Sequence, residues 1–171
     1  MPRRLAIALL LVVAAVAGAG SSSFFDDEHA GSTGAGVSGD GRVVKVVDGD
    51  TIHVVLSGRP ETVRYIGVDT PETKHPTKGV QCFGHAAAAF NARLVGGERV
   101  RLAGDVEQRD RYGRLLAYVY RARDGLFVNA ELARLGYARP LSIAPDVRHA
   151  ARFAALAREA REQRKGLWSV C

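Results

Sequence analysis

Three short apolar runs stand close together in this sequence. Val43-Val44-Lys45-Val46-Val47, residues 51–56 and residues 61–68 are rich in β-branched side chains, and Asp48-Gly49-Asp50 and Ser57-Gly58-Arg59-Pro60 separate them. Such runs, bounded by Gly, Pro and Asp, predict strands joined by turns, here a three-stranded meander. A polar loop from Thr70 to Val80 follows. Gln81 to Val95 predicts a helix: Ala86 to Ala89 are strong helix formers, Phe90 and Leu94 share a face, and Gly96-Gly97 ends it. Val100-Arg101-Leu102 resumes the strand pattern, and Arg114 to Arg121 alternates as a fifth strand. A short helix is expected over Asn129–Leu135, stopped at Gly136. A last one is expected from Asp146 to Lys165, with Phe153, Leu156, Ala157 and Ala160 on one stripe. Five short strands interrupted by one helix and followed by others predict a mainly β, α+β domain: a five-stranded OB-type barrel with three helices.

The chain's 171 residues suit one domain with a real core. Ahead of the strands, Arg3-Arg4 precedes an apolar run from Leu5 to Ala19, shorter than the roughly 20 residues that span a bilayer. With small residues around Ala17 and Ala19, residues 1–19 fit a signal peptide cleaved near one of those two alanines. Residues 20–41, rich in Gly, Ser and acidic side chains, fit a flexible linker, leaving 42–171 as the folded domain. The expected location is therefore outside the cell or on the exterior of its envelope. In that setting Cys82 and Cys171, the only cysteines, are expected to pair. From residue 42 onward, 22 basic residues face 14 acidic ones, and nearly all the basic ones are arginine. Such an excess suits either a polyanionic partner or a merely soluble surface.

The chemistry gathers at the strand ends. Asp50 and Asp69 each stand where a strand begins or ends, and two carboxylates brought together there repel unless a cation lies between them. Oxygen donors without histidine or thiolate select Ca²⁺ or Mg²⁺, with a backbone carbonyl such as that of Thr70 as a further ligand. Asp48 fits a turn cap, and Asp48-Gly49-Asp50 is no EF-hand, since Ile52 occupies the third ligand position. Glu72, three residues past Asp69, could orient or deprotonate a water. Arg64 and Arg114, from two different strands, could hold a phosphodiester and stabilise its transition state. Each residue taken alone has a structural alternative: a turn cap, a loop glutamate, a surface ion pair. The histidines share no metal-ligand spacing, Trp168 is expected to anchor the last helix, and the helix arginines from Arg148 to Arg164 to form a solvated face.

These segments resemble the staphylococcal nuclease (thermonuclease) family. The resemblance is carried by Val46-Val47-Asp48-Gly49-Asp50-Thr51, by Arg64 through Val68-Asp69-Thr70-Pro71-Glu72-Thr73-Lys74-His75-Pro76, by Asp110-Arg111-Tyr112-Gly113-Arg114-Leu115-Leu116-Ala117-Tyr118, by Val128-Asn129 with Leu132 and Gly136, and by Gly166-Leu167-Trp168. It implies an OB-type barrel and a Ca²⁺-dependent phosphodiesterase that cleaves DNA and RNA to 3′-phosphates, acting without sequence preference, as a monomer and with no stable protein partner. By the same resemblance Asp50, Asp69 and the Thr70 carbonyl would hold the Ca²⁺. Arg64, Glu72 and Arg114 would be catalytic, with Tyr112 and Arg111 at the substrate phosphate. The sequence departs from the family where two tyrosines are usual near the bound nucleotide: it has Arg139-Pro140-Leu141-Ser142-Ile143-Ala144, so aromatic base stacking is not expected there. Two other readings are a catalytically silent OB module that binds nucleic acid and an envelope protein whose Asp pair is purely structural. The retained acids and arginines favour the enzyme.

Overall fold

The computed structural model describes residues 38–73 and 79–171, which fall in one compact unit. The expected signal peptide, nearly all of the expected linker, and the Lys74-His75-Pro76 stretch lie outside the described residues. In chain order the elements are β1 (Ser38–Val46), β2 (Thr51–Leu56), β3 (Arg59–Tyr65), β4 (Val68–Asp69), α1 (Gly84–Val95), β5 (Arg99–Ala103), β6 (Leu115–Arg121), α2 (Val128–Arg134), β7 (Arg139–Pro140), α3 (Ala150–Glu162) and α4 (Leu167–Val170). Five strands close a barrel in the order β1-β2-β3-β6-β5, and β4 and β7 form a separate two-stranded pair. The expected barrel is present. It closes through an antiparallel β1–β5 ladder and a parallel β3–β6 pairing, in which Val63 stands opposite Leu115 and Arg64 opposite Leu116.

Alternation within the strands builds the core. Val43, Ile52, Val54, Val63, Tyr65, Val100, Leu102, Ala117 and Val119 are all buried, and α2 and α3 add Leu132 and Phe153. Each such aliphatic or aromatic side chain contributes about 1.5–3 kcal/mol on leaving water. The apolar run at 43–47 would break strict alternation, and a bulge between Val43 and Lys45 resolves it by turning Val44 outward.

Several boundaries differ from the sequence expectation, and four of them have a clear local reason. β1 starts at Ser38, inside the segment read as linker, because Ser38 to Arg42 pair with β5. The third run divides at Ile66-Gly67, where Gly67 takes φ +80° and the Phe153 ring lies against its backbone. Val68 and Asp69 then pair with Pro140 and Arg139 instead of extending β3. α1 begins at Gly84, since Phe83 adopts a left-handed conformation and Gln81 is engaged with Glu72. α3 begins at Ala150 because the Asp146 carboxylate accepts the Val106 and Glu107 N–H groups, which holds the preceding segment as a loop.

The arginines from Arg148 to Arg164 are exposed, as expected, though Arg148 also pairs with Asp105 at 3.1 Å and Arg152 lies over the Phe127 ring. Leu167, rather than the half-exposed Trp168, is the buried anchor of the last turn. Cys82 and Cys171 form a disulfide, with Cα atoms 6.0 Å apart across a sequence separation of 89 residues.

Two outcomes are expected. Gly67→Ala would drive a Cβ into the Phe153 ring while imposing a side chain on positive φ, so urea unfolding should show a loss of about 2–4 kcal/mol. Replacing both cysteines with serine frees a long loop in the unfolded chain and should lower the unfolding free energy by about 2–5 kcal/mol, read by the same method.

Candidate active site

Asp50 immediately precedes β2 and is almost fully buried. Its Oδ2 accepts the Thr70 backbone N–H at 2.7 Å and the Thr70 hydroxyl at 3.0 Å, while Oδ1 accepts the Thr51 hydroxyl at 3.1 Å. These bonds draw the turn before β2 against the chain leaving β4. Glycine at 49 permits that approach, since a Cβ there would lie 2.6 Å from the Thr70 hydroxyl oxygen. Asp48 caps the turn, as expected: its Oδ1 accepts the Asp50 N–H at 3.2 Å. The wholly buried Asn91 of α1 braces the turn from behind, donating to the Asp48 carbonyl and accepting the Tyr65 hydroxyl, each at 3.0 Å.

Arg64, near the end of β3, reaches into the same corner. Its Nη1 donates to the carbonyls of Tyr65 and Val68, each at 2.7 Å, its Nη2 donates to Asp69 Oδ1 at 2.8 Å, and its Nε lies 3.2 Å from Asp50 Oδ1. Asp50 and Asp69 therefore converge on one guanidinium. Most of that fork already has protein acceptors, where the sequence suggested a fork open to substrate. Arg139, opposite Asp69 in the β4–β7 ladder, adds a second positive charge nearby.

The corner still holds more negative than positive charge. Burial, then the charge of Asp50, pushes the Asp48 carboxyl up to about 6, with Glu72 adding to the effect. Burial and Asp50 also raise Asp69, against the lowering influence of Arg64 and Arg139. Crowded carboxylates with oxygen-only donors fit a hard divalent cation. Among the described residues no three acidic, histidine or cysteine side chains form a metal cage. A cation here would therefore rest on Asp50 and Asp69 with backbone and water oxygens, the Thr70 carbonyl among them.

Arg114 stands just before β6. Asp110 positions it, accepting its backbone N–H at 3.0 Å and its Nε at 2.7 Å, and also accepting the Tyr112 N–H at 2.9 Å. Burial would raise the Asp110 carboxyl, yet these bonds hold it below the usual carboxylate range. The Arg114 Nη groups make no bond among the described residues. Tyr112 is exposed, with the guanidiniums of Arg111 and Arg114 at 4.8 and 5.5 Å from its ring centre.

Arg64, Arg111, Tyr112 and Arg114 line one cleft of about 460 Å³. Leu141 and Ile143, in the stretch without tyrosines, give it an aliphatic wall. Asp50, Asp69 and Thr70 are joined to this cleft through Arg64 and its neighbours rather than lining it. Glu72 is not in its lining either. The Glu72 backbone is clamped by Gln81, its N–H donating to Gln81 Oε1 at 3.1 Å and its carbonyl accepting the Gln81 N–H at 2.9 Å.

Sequence reasoning missed the parts played by Asp110, Asn91 and Leu141. Asp110 sat four residues ahead of Arg114 in a segment already singled out. Asn91 was a lone polar residue four from Ala87 on the buried face of α1. No local signal marked Leu141 as cleft wall.

Comparison with known proteins gives a consistent result. The family model described as staphylococcal nuclease homologue matches residues 62–170. A thermonuclease of Staphylococcus hyicus is 39% identical over 128 residues, 75% of each chain. A thermonuclease of Staphylococcus intermedius is 41% identical over 133 residues, 77% of this chain and 78% of its own. Endonuclease YncB of Bacillus subtilis (strain 168) is 41% identical over 127 residues, 73% of this chain and 59% of its own.

Because Arg64 balances the buried Asp50 carboxylate and also pairs with Asp69, its loss should register in stability as well as in activity. Arg64→Lys keeps the charge but cannot reach the same set of acceptors, and chemical denaturation should show a loss of about 2–4 kcal/mol. Arg59→Lys, at an exposed position of the same strand, should stay within about 0.5 kcal/mol of wild type.

Proposed function

The chain belongs to the staphylococcal nuclease family, and from that premise we propose that this nuclease is a secreted, Ca²⁺-dependent endonuclease that cuts DNA and RNA without sequence preference, leaves 3′-phosphates and acts as a monomer. The observation that carries the reading is the convergence of Asp50 and Asp69 on Arg64, beside a cleft that Arg64 and Arg114 line together. A net basic chain with an arginine whose Nη groups stay open at that cleft, Arg114, suits a phosphodiester.

The roles divide by what each side chain has free. Arg114, with Nε fixed by Asp110 and its Nη pair unengaged, is the better-placed fork for the substrate phosphate and for the charge that grows on it during attack. Arg64 is chiefly the counter-ion that holds the two aspartates together, and one Nη2 hydrogen remains for substrate. Asp50, Asp69 and the Thr70 carbonyl would hold Ca²⁺, which when bound supplies Lewis-acid polarisation of a phosphate oxygen. Glu72 orients or deprotonates the attacking water. A water oxygen bonds to phosphorus in line, the bond from phosphorus to the 5′ oxygen breaks, and the water's proton ends on that departing oxygen. Tyr112 and Arg111 flank the phosphate at the cleft rim.

Secretion is supported by the leader pattern ahead of residue 20 and by the Cys82–Cys171 disulfide, a bond that persists in oxidising compartments.

Two outcomes are expected. Plasmid DNA should be cleaved with Ca²⁺, cleavage should stop on addition of EGTA, and excess Ca²⁺ should restore it; hydrolysis that persists in EGTA would remove the cation from the reaction. Arg114→Lys should lower kcat by about 10²–10³, since a point charge cannot replace the fork, and near-normal turnover would remove Arg114 from the chemistry.

A further inference from the structure

Gln81 supplies partners for both backbone groups of Glu72. Its side-chain Oε1 accepts the Glu72 N–H at 3.1 Å, and its own N–H donates to the Glu72 carbonyl at 2.9 Å. Two bonds between the same two residues fix the backbone that carries the Glu72 carboxylate, so that its side-chain torsions are what remains free. The start of α1 closes on the same point. Gly84 is buried, its N–H donates to the Gln81 carbonyl at 2.9 Å, and a Cβ there would lie 2.7 Å from the Glu72 carbonyl oxygen.

This clamp is only as firm as the hold on Gln81, and the usual devices that fix the start of a helix are missing from α1. Phe83 offers no side-chain cap and takes φ 70°, and the first turn has no acidic residue. What stands between Gln81 and Phe83 is Cys82, joined by the disulfide to Cys171. Cys171 is itself anchored: its N–H donates to the Leu167 carbonyl at 2.9 Å, the Leu167 N–H donates to the Gly136 carbonyl at 2.8 Å, and Leu167 is buried. The core therefore reaches Glu72 through Leu167, Cys171, Cys82 and Gln81. Both cysteines are exposed, which gives a thiol access to the bond.

We infer that Gln81 is a positioning residue for Glu72 and that the Cys82–Cys171 disulfide keeps it in place, so that reducing this bond slackens the clamp and slows catalysis. The inference rests on the nuclease reading, in which Glu72 acts on the attacking water, and adds redox control to it. The step is thiol–disulfide exchange with a dithiol. One thiolate of the dithiol attacks a cysteine sulfur and the S–S bond breaks, and the second thiol then resolves the mixed disulfide. Two electrons pass from the dithiol, which leaves as its own disulfide, and its two protons end on Cys82 and Cys171. A chain still among reducing thiols is thus a weak nuclease, and oxidation completes it.

The test compares the oxidised chain with the chain reduced by dithiothreitol, cutting a DNA oligonucleotide with Ca²⁺ at a temperature where circular dichroism shows both folded. Reduction should lower kcat about ten- to a hundredfold and leave KM within about twofold, since Gln81, Cys82 and Cys171 do not line the cleft. Cys82→Ser/Cys171→Ser should match the reduced chain and be indifferent to dithiothreitol. With the disulfide intact, Gln81→Met keeps the size but loses the acceptor and should lower kcat about tenfold, whereas Gln81→Glu keeps an acceptor and should retain most of it. In a Glu72→Gln background reduction should cost less than about twofold, because effects that act through one residue do not add. Exchange of the Glu72 amide hydrogen, followed by NMR in EDTA, should quicken on reduction. An unchanged exchange rate would overturn the clamp. An equal loss of kcat on reduction in the Glu72→Gln background would overturn it too, by making the disulfide a general stabiliser. An oxidised chain that cuts nothing, yet whose Glu72 amide exchanges faster on reduction, would uphold the clamp and refute the nuclease reading. Cleavage whose kcat ignores the state of the bond would do the reverse.

Discussion

A carboxylate taken out of water has to be met by donors, and at Asp50 that requirement organises three separate stretches of chain. The Thr70 amide and hydroxyl, the Thr51 hydroxyl and the Arg64 guanidinium all answer it. Without Asp50 there would be no reason for the turn before β2 to meet the exit from β4, nor for Gly49 to lack a side chain. Arg64 then links the corner to β4 through the Val68 carbonyl and Asp69. The barrel supplies the frame, and this one buried charge fixes how its mouth is built.

That arrangement sets two demands against each other. Arg64 is a good counter-ion because it is largely buried and multiply bonded, and those same bonds leave it little freedom toward a ligand. Arg114 has the opposite character: it is more exposed, held at Nε by Asp110 and open at its other nitrogens. Two arginines that look equivalent along the sequence are therefore unequal in the fold. The difference follows from the acceptors around each, not from residue type.

Much of the barrel was legible because its signals are local. β-Branched runs, the Asp-Gly and Gly-Arg-Pro breaks and the stripe on α3 placed the strands and helices to within a few residues. Partners remote in sequence could not be read that way: the parallel match of β3 with β6 and the small β4–β7 ladder depend on closure of the whole barrel. The site divides likewise. Asp50, Asp69, Arg64 and Arg114 could be named from residue type and position at strand ends. That Arg64 turns inward to the Tyr65 and Val68 carbonyls could not, because backbone acceptors carry no signature in sequence. The loss of two tyrosines was visible, but not that Leu141 and Ile143 would stand in the cleft wall instead.

The parallel pairing of β3 with β6 carries a consequence for how the molecule comes into being. Arg64 and Arg114 face one cleft only after residues 59–65 have met residues 115–121, with α1 and β5 lying between them in sequence. Contacts so distant along the chain form late, since loop closure comes before any reward from pairing. An unfinished polypeptide emerging from the ribosome thus lacks the cleft, although the groups that meet Asp50 all lie at or before Thr70. The cleft is therefore completed only when synthesis is well past the midpoint of the chain.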